Sequence, residues 1–175
     1  MRFLWLTLLW LPVSSGFCQQ PTLPDFAEGR EGIGEMALFL AQCSRAEREA
    51  LAFSLRPDEA DIEALFLPEF HDKAREYLTG LFKHFHVVVQ PLKKGQSEVR
   101  IWGATAASLR AYSGEAAFFP GGYKELAPYF QEDVEIFRIK FAEPDRYLGA
   151  SYDAFAYVNG HWKLFPQVWK ALQIE

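Results

Sequence analysis

The chain has 175 residues, a formal net charge of −5 at pH 7 and an aromatic content of 16%. A net negative chain does not attract phosphate backbones in general, so nucleic acid is not an expected partner. Two cysteines exclude a disulfide scaffold, and the length predicts one domain with its own hydrophobic core.

The first 18 residues have the pattern of a secretory signal peptide. Arg2 supplies the positive charge, an apolar run follows, and small residues allow cleavage after Gly16 or after Cys18. The apolar run is shorter than a membrane-spanning helix, and no second long apolar segment follows it. We therefore expect an exported protein, periplasmic or secreted, without a stable membrane span after cleavage.

Residues 19–32 combine prolines, glycines and charges without periodicity, which predicts a flexible leader. We expect one α+β domain over residues 33–175 to follow it.

Apolar spacing and capping signals predict four helices in the first half of this domain, over 33–43, over 45–55, from Pro57 onward and over 69–85. Ser44 and Glu47 form an S-x-x-E capping box, in which each residue satisfies an amide of the other. Four acids follow Pro57, and they lack the glycine and ligand spacing of a calcium loop. They are typical of a solvated first helical turn.

After residue 85 the apolar period changes from that of a helix to that of a strand. We predict strands over 86–92, 97–104 and 133–141, and short helices over 105–112 and 122–127. Helices followed by strands predict an α+β fold, in which N-terminal helices pack against a curved antiparallel sheet. The sheet is expected to be a meander that ends in a hairpin.

Asn159-Gly160 sets the register of that hairpin, because Asn-Gly is the preferred pair for a two-residue type I′ turn. The turn pairs Val158 with His161, Tyr157 with Trp162, Ala156 with Lys163, and Phe155 with Leu164. Phe155, Tyr157, Trp162 and Leu164 then share one face. Tyr152 falls on the opposite, more polar face.

The ring-rich face is expected to pack on the helix over 69–85 and to continue along the strand over 133–141. The many rings fit a bulky core, or alternatively a ring-lined pocket. For the pocket, the predicted ligand contacts are Tyr152, Phe155, Tyr157, Trp162 and Tyr123. Arg138, Lys140 and Lys163 fall on the other face, as an anion-attracting patch or as ordinary solvent-facing charges.

Asp153 is the one candidate catalytic residue. Strand alternation places it on the ring-rich face with Phe155 and Tyr157, where desolvation would raise the pKa of its carboxyl group. Arg146 and Tyr147 are possible partners. The alternative is that Asp153 lies near the strand end and reaches solvent or a backbone amide.

No motif predicts a metal, a nucleotide cofactor or an activated nucleophile. His84 and His86 could bind zinc with His71 or His161 only if their segment is extended, and no cysteine or carboxylate is placed beside them. The sequence also lacks the glycine-rich phosphate loops and the G-x-S-x-G nucleophile turn. We therefore predict no metal and no cofactor.

The element order, with helices before a meander that ends in Asn159-Gly160 and a strand bearing Trp162, resembles the NTF2-like, cystatin-like group of cone-shaped α+β domains. The resemblance implies a sheet wrapped around a helix with a cavity between them. Some members of that group bind small molecules, and others catalyse isomerisation or dehydration with a buried aspartate. Asp153 is the position that matches this role.

We therefore expect a binding or interaction module whose partner is an unknown small molecule or protein, with a possible homodimer through the sheet face. The alternative is a small acid-base enzyme in which Asp153 is the base. Tyr152, Tyr147 or Tyr112 would then orient the substrate.

Overall fold

A four-stranded antiparallel sheet with helices on both faces forms the fold. The computed structural model describes residues 21–83, 92–146 and 148–174. The helices are α1 (Gly29–Gln42), α2 (Arg45–Ser54), α3 (Glu59–Leu65), α4 (His71–Phe82), α5 (Ala106–Ala111) and α6 (Gly122–Leu126). The strands are β1 (Glu98–Thr105), β2 (Glu135–Ala142), β3 (Gly149–Val158) and β4 (His161–Leu164), in the order β1-β2-β3-β4.

Short 3-10 helices complete the described elements. They cover Pro68–Phe70, Gly114–Phe118, Ala127–Tyr129 and Val168–Gln173. Within the described ranges, no helix combines the length and the apolar character needed to cross a membrane. The predicted α+β class is confirmed, and the sheet remains open rather than closed into a barrel.

The capping box predicted at Ser44 and Glu47 marks the start of α2 correctly. At α2 the Ser44 amide donates to Glu47 Oε2 at 2.7 Å and the Glu47 amide donates to Ser44 Oγ at 3.3 Å. At α3 the cap is Asp58, so Pro57 lies before the helix rather than in its first turn. The strand predicted over residues 86–92 lies outside the described residues except for Leu92. The signal segment, His84, His86 and Tyr147 also lie outside them.

The predicted flexible leader is wrong from residue 29 onward, because α1 begins at Gly29. The segment before α1 also packs on the protein, since Phe26 is buried and its ring meets Phe39 edge to face. Gly32 permits this entry, because a Cβ atom there would collide with the Ala27 carbonyl group. Gly32, one of the glycines that suggested a loop, therefore serves close packing at a helix start.

The sheet separates two hydrophobic cores. The α1/α2 core contains the apolar stripe of α1 together with the ring-rich sheet face: Ile33, Met36, Ala37, Leu40, Phe137, Ile139, Phe141, Phe155, Trp162 and Leu164. The α3–α6 core covers the opposite face and contains Ala74, Leu78, Phe82, Tyr123, Ile136, Ala154, Ala156 and Val158 among others. Both faces of the central strands are therefore buried.

This arrangement corrects two predictions. The ring-rich face packs on α1 and α2 rather than on the helix that contains Ala74 and Leu78, because α1 carries an apolar stripe that must also be buried. The basic residues on the opposite face are not solvent-facing, since the side chain of Lys163 is 12% exposed and that of Arg138 is 16% exposed. The homodimer through the sheet face stays a prediction.

The Asn159-Gly160 hairpin forms as predicted. All four predicted residue pairs of β3 and β4 are present. Asn159 has φ 52° and Gly160 has φ 79°, which are the positive angles that a type I′ turn requires. Tyr157 and Trp162 point into the α1/α2 core, and their ring centroids lie 5.5 Å apart.

Candidate functional site

A β-bulge in β3 determines which face Asp153 occupies. Phe137 pairs with Phe155, whereas Arg138 pairs with Asp153, so Ala154 is an extra residue on β3. Ala154 has φ 60°, in the left-handed region that the first residue of a G1 bulge adopts. Because alternation is interrupted here, Asp153 and Phe155 lie on opposite faces of the sheet.

The prediction that Asp153 lies among the rings of Phe155 and Tyr157 is therefore wrong. The bulge also moves Tyr152, which lies on the ring-rich side, where its ring meets Phe141 at a centroid distance of 6.1 Å. Asp153 instead faces the α3–α6 side of the sheet with Arg138. The alternative of a solvent-reaching strand end is also wrong, since Asp153 is 9% exposed.

Asp153 and Arg138 form a buried ion pair that is not a hydrogen bond. Arg138 Nε lies 3.2 Å from Asp153 Oδ1. Both of these atoms nevertheless lack a hydrogen-bond partner, so the N–H is not directed at the oxygen. Elsewhere on the guanidinium, Nη1 donates to the Phe118 carbonyl group. The pair balances charge and leaves one donor and one acceptor unused.

Burial raises the pKa of the Asp153 carboxyl group above its ordinary value, and the positive charge of Arg138 opposes this shift without cancelling it. A carboxyl group that is desolvated beside a fixed cation holds its proton to a higher pH than a solvated one. Such groups are over-represented where proteins bind ligands or transfer protons.

Tyr123, at the start of α6, brings a third polar group to this place. The residue is fully buried, and its hydroxyl group makes no hydrogen bond. Burial raises the pKa of Tyr123 well above its ordinary value, and the nearby Asp153 and Tyr77 raise it further. Arg138 and the Gln167 amide oppose the shift, although that amide does not meet the geometry of a hydrogen bond to the hydroxyl.

We call Asp153, Arg138 and Tyr123 the polar cluster. Among the described residues, four buried side-chain atoms lack hydrogen-bond partners, and three of them belong to the cluster. The fourth is the indole nitrogen of Trp169, whose ring packs against Gly122, next to Tyr123. Native proteins leave few buried polar atoms unpaired, so this concentration in one place calls for a partner.

Arg138 marks the side of the polar cluster that approaches solvent. Its guanidinium carbon lies 5.8 Å from the centre of the Trp102 ring, which stacks on Phe118 at 4.9 Å. Phe118 is 41% exposed, so this stack stands at the protein surface.

The structure separates the predicted ligand contacts. Only Tyr123 lies with Asp153, whereas the other four predicted residues belong to the α1/α2 side: Tyr152, Phe155, Tyr157 and Trp162. Trp162 Nε1 donates to the Ala27 carbonyl group at 2.9 Å, and Phe155 has no exposed surface. These rings therefore fill a core rather than line a pocket around Asp153.

The predicted partners of Asp153, Arg146 and Tyr147, and the predicted substrate-orienting Tyr112 are engaged elsewhere or are not described. Arg146 pairs with Glu143 at 3.1 Å, and the Tyr112 hydroxyl donates to the Phe119 carbonyl group at 3.1 Å. Tyr147 lies outside the described residues. Arg138, rather than Arg146, is the charged residue that pairs with Asp153.

Asp61 forms a second buried acidic site, and all of its contacts are structural. It accepts hydrogen bonds from Asn159 Nδ2 at 3.1 Å and from His161 Nε2 at 2.8 Å, and Lys163 Nζ lies 3.3 Å away. Burial alone would raise the pKa of Asp61, but these partners and the hydrogen bond with Asp58 lower it overall. The predicted solvated position of Asp61 is wrong, because this residue ties α3 to the hairpin.

Two surface cavities lie away from the polar cluster. One of about 190 Å³ is lined by Leu23, Pro24, Asp25, Phe26, Met36, Leu51, Ser54, Leu55, His161 and Trp162. The other, of about 280 Å³, is lined by Arg56, Pro57, Asp58, Glu59, Ile62, Arg75, Leu78, Thr79 and Phe82. Neither contains Asp153 or Tyr123.

In the described part of the chain, no three histidine, cysteine or acidic side chains come together as metal ligands. His71 Nε2 contacts the Phe66 carbonyl group at 2.9 Å, and His161 is bound to Asp61. The zinc hypothesis for His84 and His86 concerns residues outside the described ranges.

No family model, curated protein or solved structure matches the chain. The resemblance to the NTF2-like group therefore stays a prediction from element order.

Proposed function

We propose that this protein is a small exported α+β binding module that holds a small molecule at the polar cluster. The observation that carries the proposal is the set of unpaired polar atoms at Arg138 Nε, Asp153 Oδ1 and the Tyr123 hydroxyl. Asp61 provides the contrast, because the carboxylate of this structural aspartate accepts hydrogen bonds from the Asp58 amide, Asn159 and His161.

Each of these unpaired atoms destabilises the empty site. A buried polar group without a partner costs about 1–3 kcal/mol relative to a satisfied one. A ligand that supplies the missing partners recovers this free energy as affinity. A site that is destabilising when empty and satisfied when occupied is typical of binding sites, where stability is commonly exchanged for function.

The test is a fragment screen by NMR on the ¹⁵N-labelled protein, with the indole N–H signal of Trp169 as the reporter. Trp169→Phe assigns that signal by its disappearance. We expect bound fragments to shift the Trp169 signal and the Tyr123→Phe variant to bind them more weakly. Fragments that shift only the Trp162 signal would place binding at the cavity of about 190 Å³ and would contradict the proposal.

A second candidate function is acid-base catalysis, and the raised pKa of the Asp153 carboxyl group favours it. A carboxylate with a raised pKa is a stronger base, and a buried tyrosine hydroxyl can hold the substrate in place. Tyr123 would take the orienting role. Base-catalysed isomerisation and dehydration next to a carbonyl group both begin with removal of a proton from carbon.

The enzymatic reading predicts that a carbonyl ligand found in the screen exchanges its α-hydrogen for deuterium in D₂O when the wild-type protein is present. Asp153→Asn should abolish this exchange, because it removes the base. If the wild-type protein does not raise the exchange rate above the uncatalysed rate, the enzymatic hypothesis is wrong and the binding proposal is unaffected.

Export is part of the proposal and has a separate test. Arg2 and the apolar run after it support a cleaved signal. N-terminal sequencing of the processed protein should find a chain that begins at Phe17 or at Gln19. An uncleaved chain in the cytoplasm would contradict export without affecting the binding site.

A further inference from the structure

The unused atoms of the polar cluster have a defined pattern. Arg138 Nε carries a hydrogen that can be donated, and Asp153 Oδ1 can accept one. The two atoms lie 3.2 Å apart, side by side rather than joined by a hydrogen bond. A molecule that faces both atoms must therefore present an acceptor next to a donor.

An amide group has this pattern in one rigid unit. Its carbonyl oxygen and its N–H nitrogen are bonded to the same carbon and lie about 2.3 Å apart, as the bond lengths dictate. The oxygen can accept from Arg138 Nε while the N–H donates to Asp153 Oδ1. The second lone pair of the same oxygen can accept one further hydrogen bond, and the unpaired Tyr123 hydroxyl is the donor that we assign to it.

The charge of the polar cluster selects against ions. The positive charge of Arg138 is already balanced by Asp153, and the side chains are 16% and 10% exposed. A charged ligand would bring an uncompensated charge into this buried place and would lose its own hydration. A neutral ligand has no such cost.

We propose that the ligand is a neutral molecule with a carbonyl oxygen next to an N–H, as in a primary amide or a lactam. This inference rests on the proposed function, because it names the class of ligand for the same site. A carboxylic acid has the same pattern only in its protonated form, which is rare at neutral pH.

The test uses four probes of nearly equal size that differ in hydrogen-bond pattern and in charge. Acetamide has the acceptor and the donor, acetone has the acceptor alone, acetate has two acceptors and a negative charge, and acetamidinium has donors and a positive charge. Binding is measured by NMR titration of the Arg138 Nε–H and Trp169 indole signals. We expect acetamide to bind about tenfold more tightly than each of the other three, the factor for one hydrogen bond to a charged group.

Two variants make the test specific to the polar cluster. Tyr123→Phe should weaken acetamide binding, and Tyr112→Phe, whose hydroxyl is bonded to the Phe119 carbonyl group, should not. Asp153→Asn leaves Arg138 without its counter-charge, so acetate should bind this variant more tightly than it binds the wild type. If Asp153→Asn does not fold, the tyrosine pair still decides the question.

The outcomes separate this inference from the function on which it rests. If acetone or acetate binds the wild type as well as acetamide, and does so at the Arg138 and Trp169 signals, the amide class is wrong and the binding site stands. If no probe and no fragment shifts these signals and a long-lived water is detected at the Tyr123 hydroxyl, the cluster holds structural water only. Both proposals then fail.

Discussion

At the scale of single residues, the two buried aspartates are opposite cases of one physical rule. Asp61 is surrounded by donors, which lower the pKa of its carboxyl group despite burial. Asp153 has one cation beside it at poor hydrogen-bond geometry, and burial raises the pKa of its carboxyl group. The charged carboxylate of Asp61 therefore stabilises the fold, whereas the charged carboxylate of Asp153 destabilises it.

This contrast predicts opposite pH dependence for two matched variants. The folded pKa of Asp61 lies below 3.8, so its stabilisation is present above pH 3.8 and is lost as the pH falls through the folded value. The folded pKa of Asp153 lies above 3.8. Its contribution to the free energy of unfolding is therefore fully present below pH 3.8 and is lost as the pH rises through the folded pKa.

Urea unfolding over a pH series checks both signs. The destabilisation caused by Asp61→Asn should be greatest near neutral pH and should shrink in acid. Asp153→Asn should gain stability relative to the wild type as the pH rises above 3.8. Parallel curves for the two variants would mean that Asp153 is as well satisfied as Asp61.

The ion pair gives a second prediction. Arg138→Leu leaves Asp153 buried and unpaired, which should lower the free energy of unfolding by about 3–5 kcal/mol at neutral pH. Replacing both partners by leucine should recover much of this loss, because neither charge then remains. Arg45→Leu is the control, since the Arg45 side chain is 88% exposed in its pair with Glu49, and we expect little change. Equal losses in the single and double Arg138 variants would show that the pair itself stabilises the fold.

Sequence reasoning selected Asp153 but assigned it to the wrong face. The cause is Ala154, which adopts φ 60° in the bulge. A glycine at this position would have signalled a break in alternation, whereas an alanine in a strand pattern does not. Because the sequence did not indicate the bulge, the pairing of Asp153 with Arg138 could not be derived from it. Tyr123 could be named as a ligand contact, but its position near Asp153 and Arg138 could not be predicted.

At the scale of elements, local signals were the most reliable. The capping box at Ser44 and the turn at Asn159-Gly160 each depend on a few adjacent residues, and both form as predicted. What the sequence did not indicate was which helices cover which sheet face. Both faces of β2 carry apolar residues, so alternation alone could not decide between α1 and α4 as the cover of the ring-rich side.

Two glycines give an element-scale prediction that separates backbone conformation from packing. A Cβ atom would meet nothing within 4 Å at Gly160 or at Gly80. Gly160→Ala should nevertheless lower the free energy of unfolding by about 1 kcal/mol, because φ 79° is unfavourable for alanine. Gly80→Ala should raise it by about 0.5–1 kcal/mol, because alanine is the better helix former. Thermal unfolding of both variants is the measurement, and equal shifts of the same sign would contradict the turn geometry.

At the scale of the whole molecule, the protein has three layers, with helices on each side of one sheet. The segment before α1 belongs to the first layer, since Phe26 is 7% exposed and the Ala27 carbonyl group accepts from Trp162. The polar cluster lies on the other side of the sheet, in the layer formed by the later elements. The α1/α2 core and the proposed binding site thus lie on different faces of the same strands.

This division predicts that the segment before α1 is needed for stability. Phe26→Ala should lower the free energy of unfolding by about 3 kcal/mol, because it removes a buried ring. Leu148→Ala is the control, since Leu148 is 83% exposed and should change stability by less than about 0.5 kcal/mol. The NMR signal of Trp169 should be unchanged in Phe26→Ala. A loss no larger than that of the control would mean that the leader is dispensable.

The central claim is that the Tyr123 hydroxyl binds a ligand and does not stabilise the fold. Measuring the stability of Tyr123→Phe and its acetamide binding on the same sample tests this claim directly, with Tyr112→Phe in parallel. We predict that Tyr123→Phe is more stable than the wild type by about 1 kcal/mol, because an unpaired buried hydroxyl is removed, and that it binds acetamide more weakly. A Tyr123→Phe variant that is less stable than the wild type and binds acetamide equally well would contradict the account.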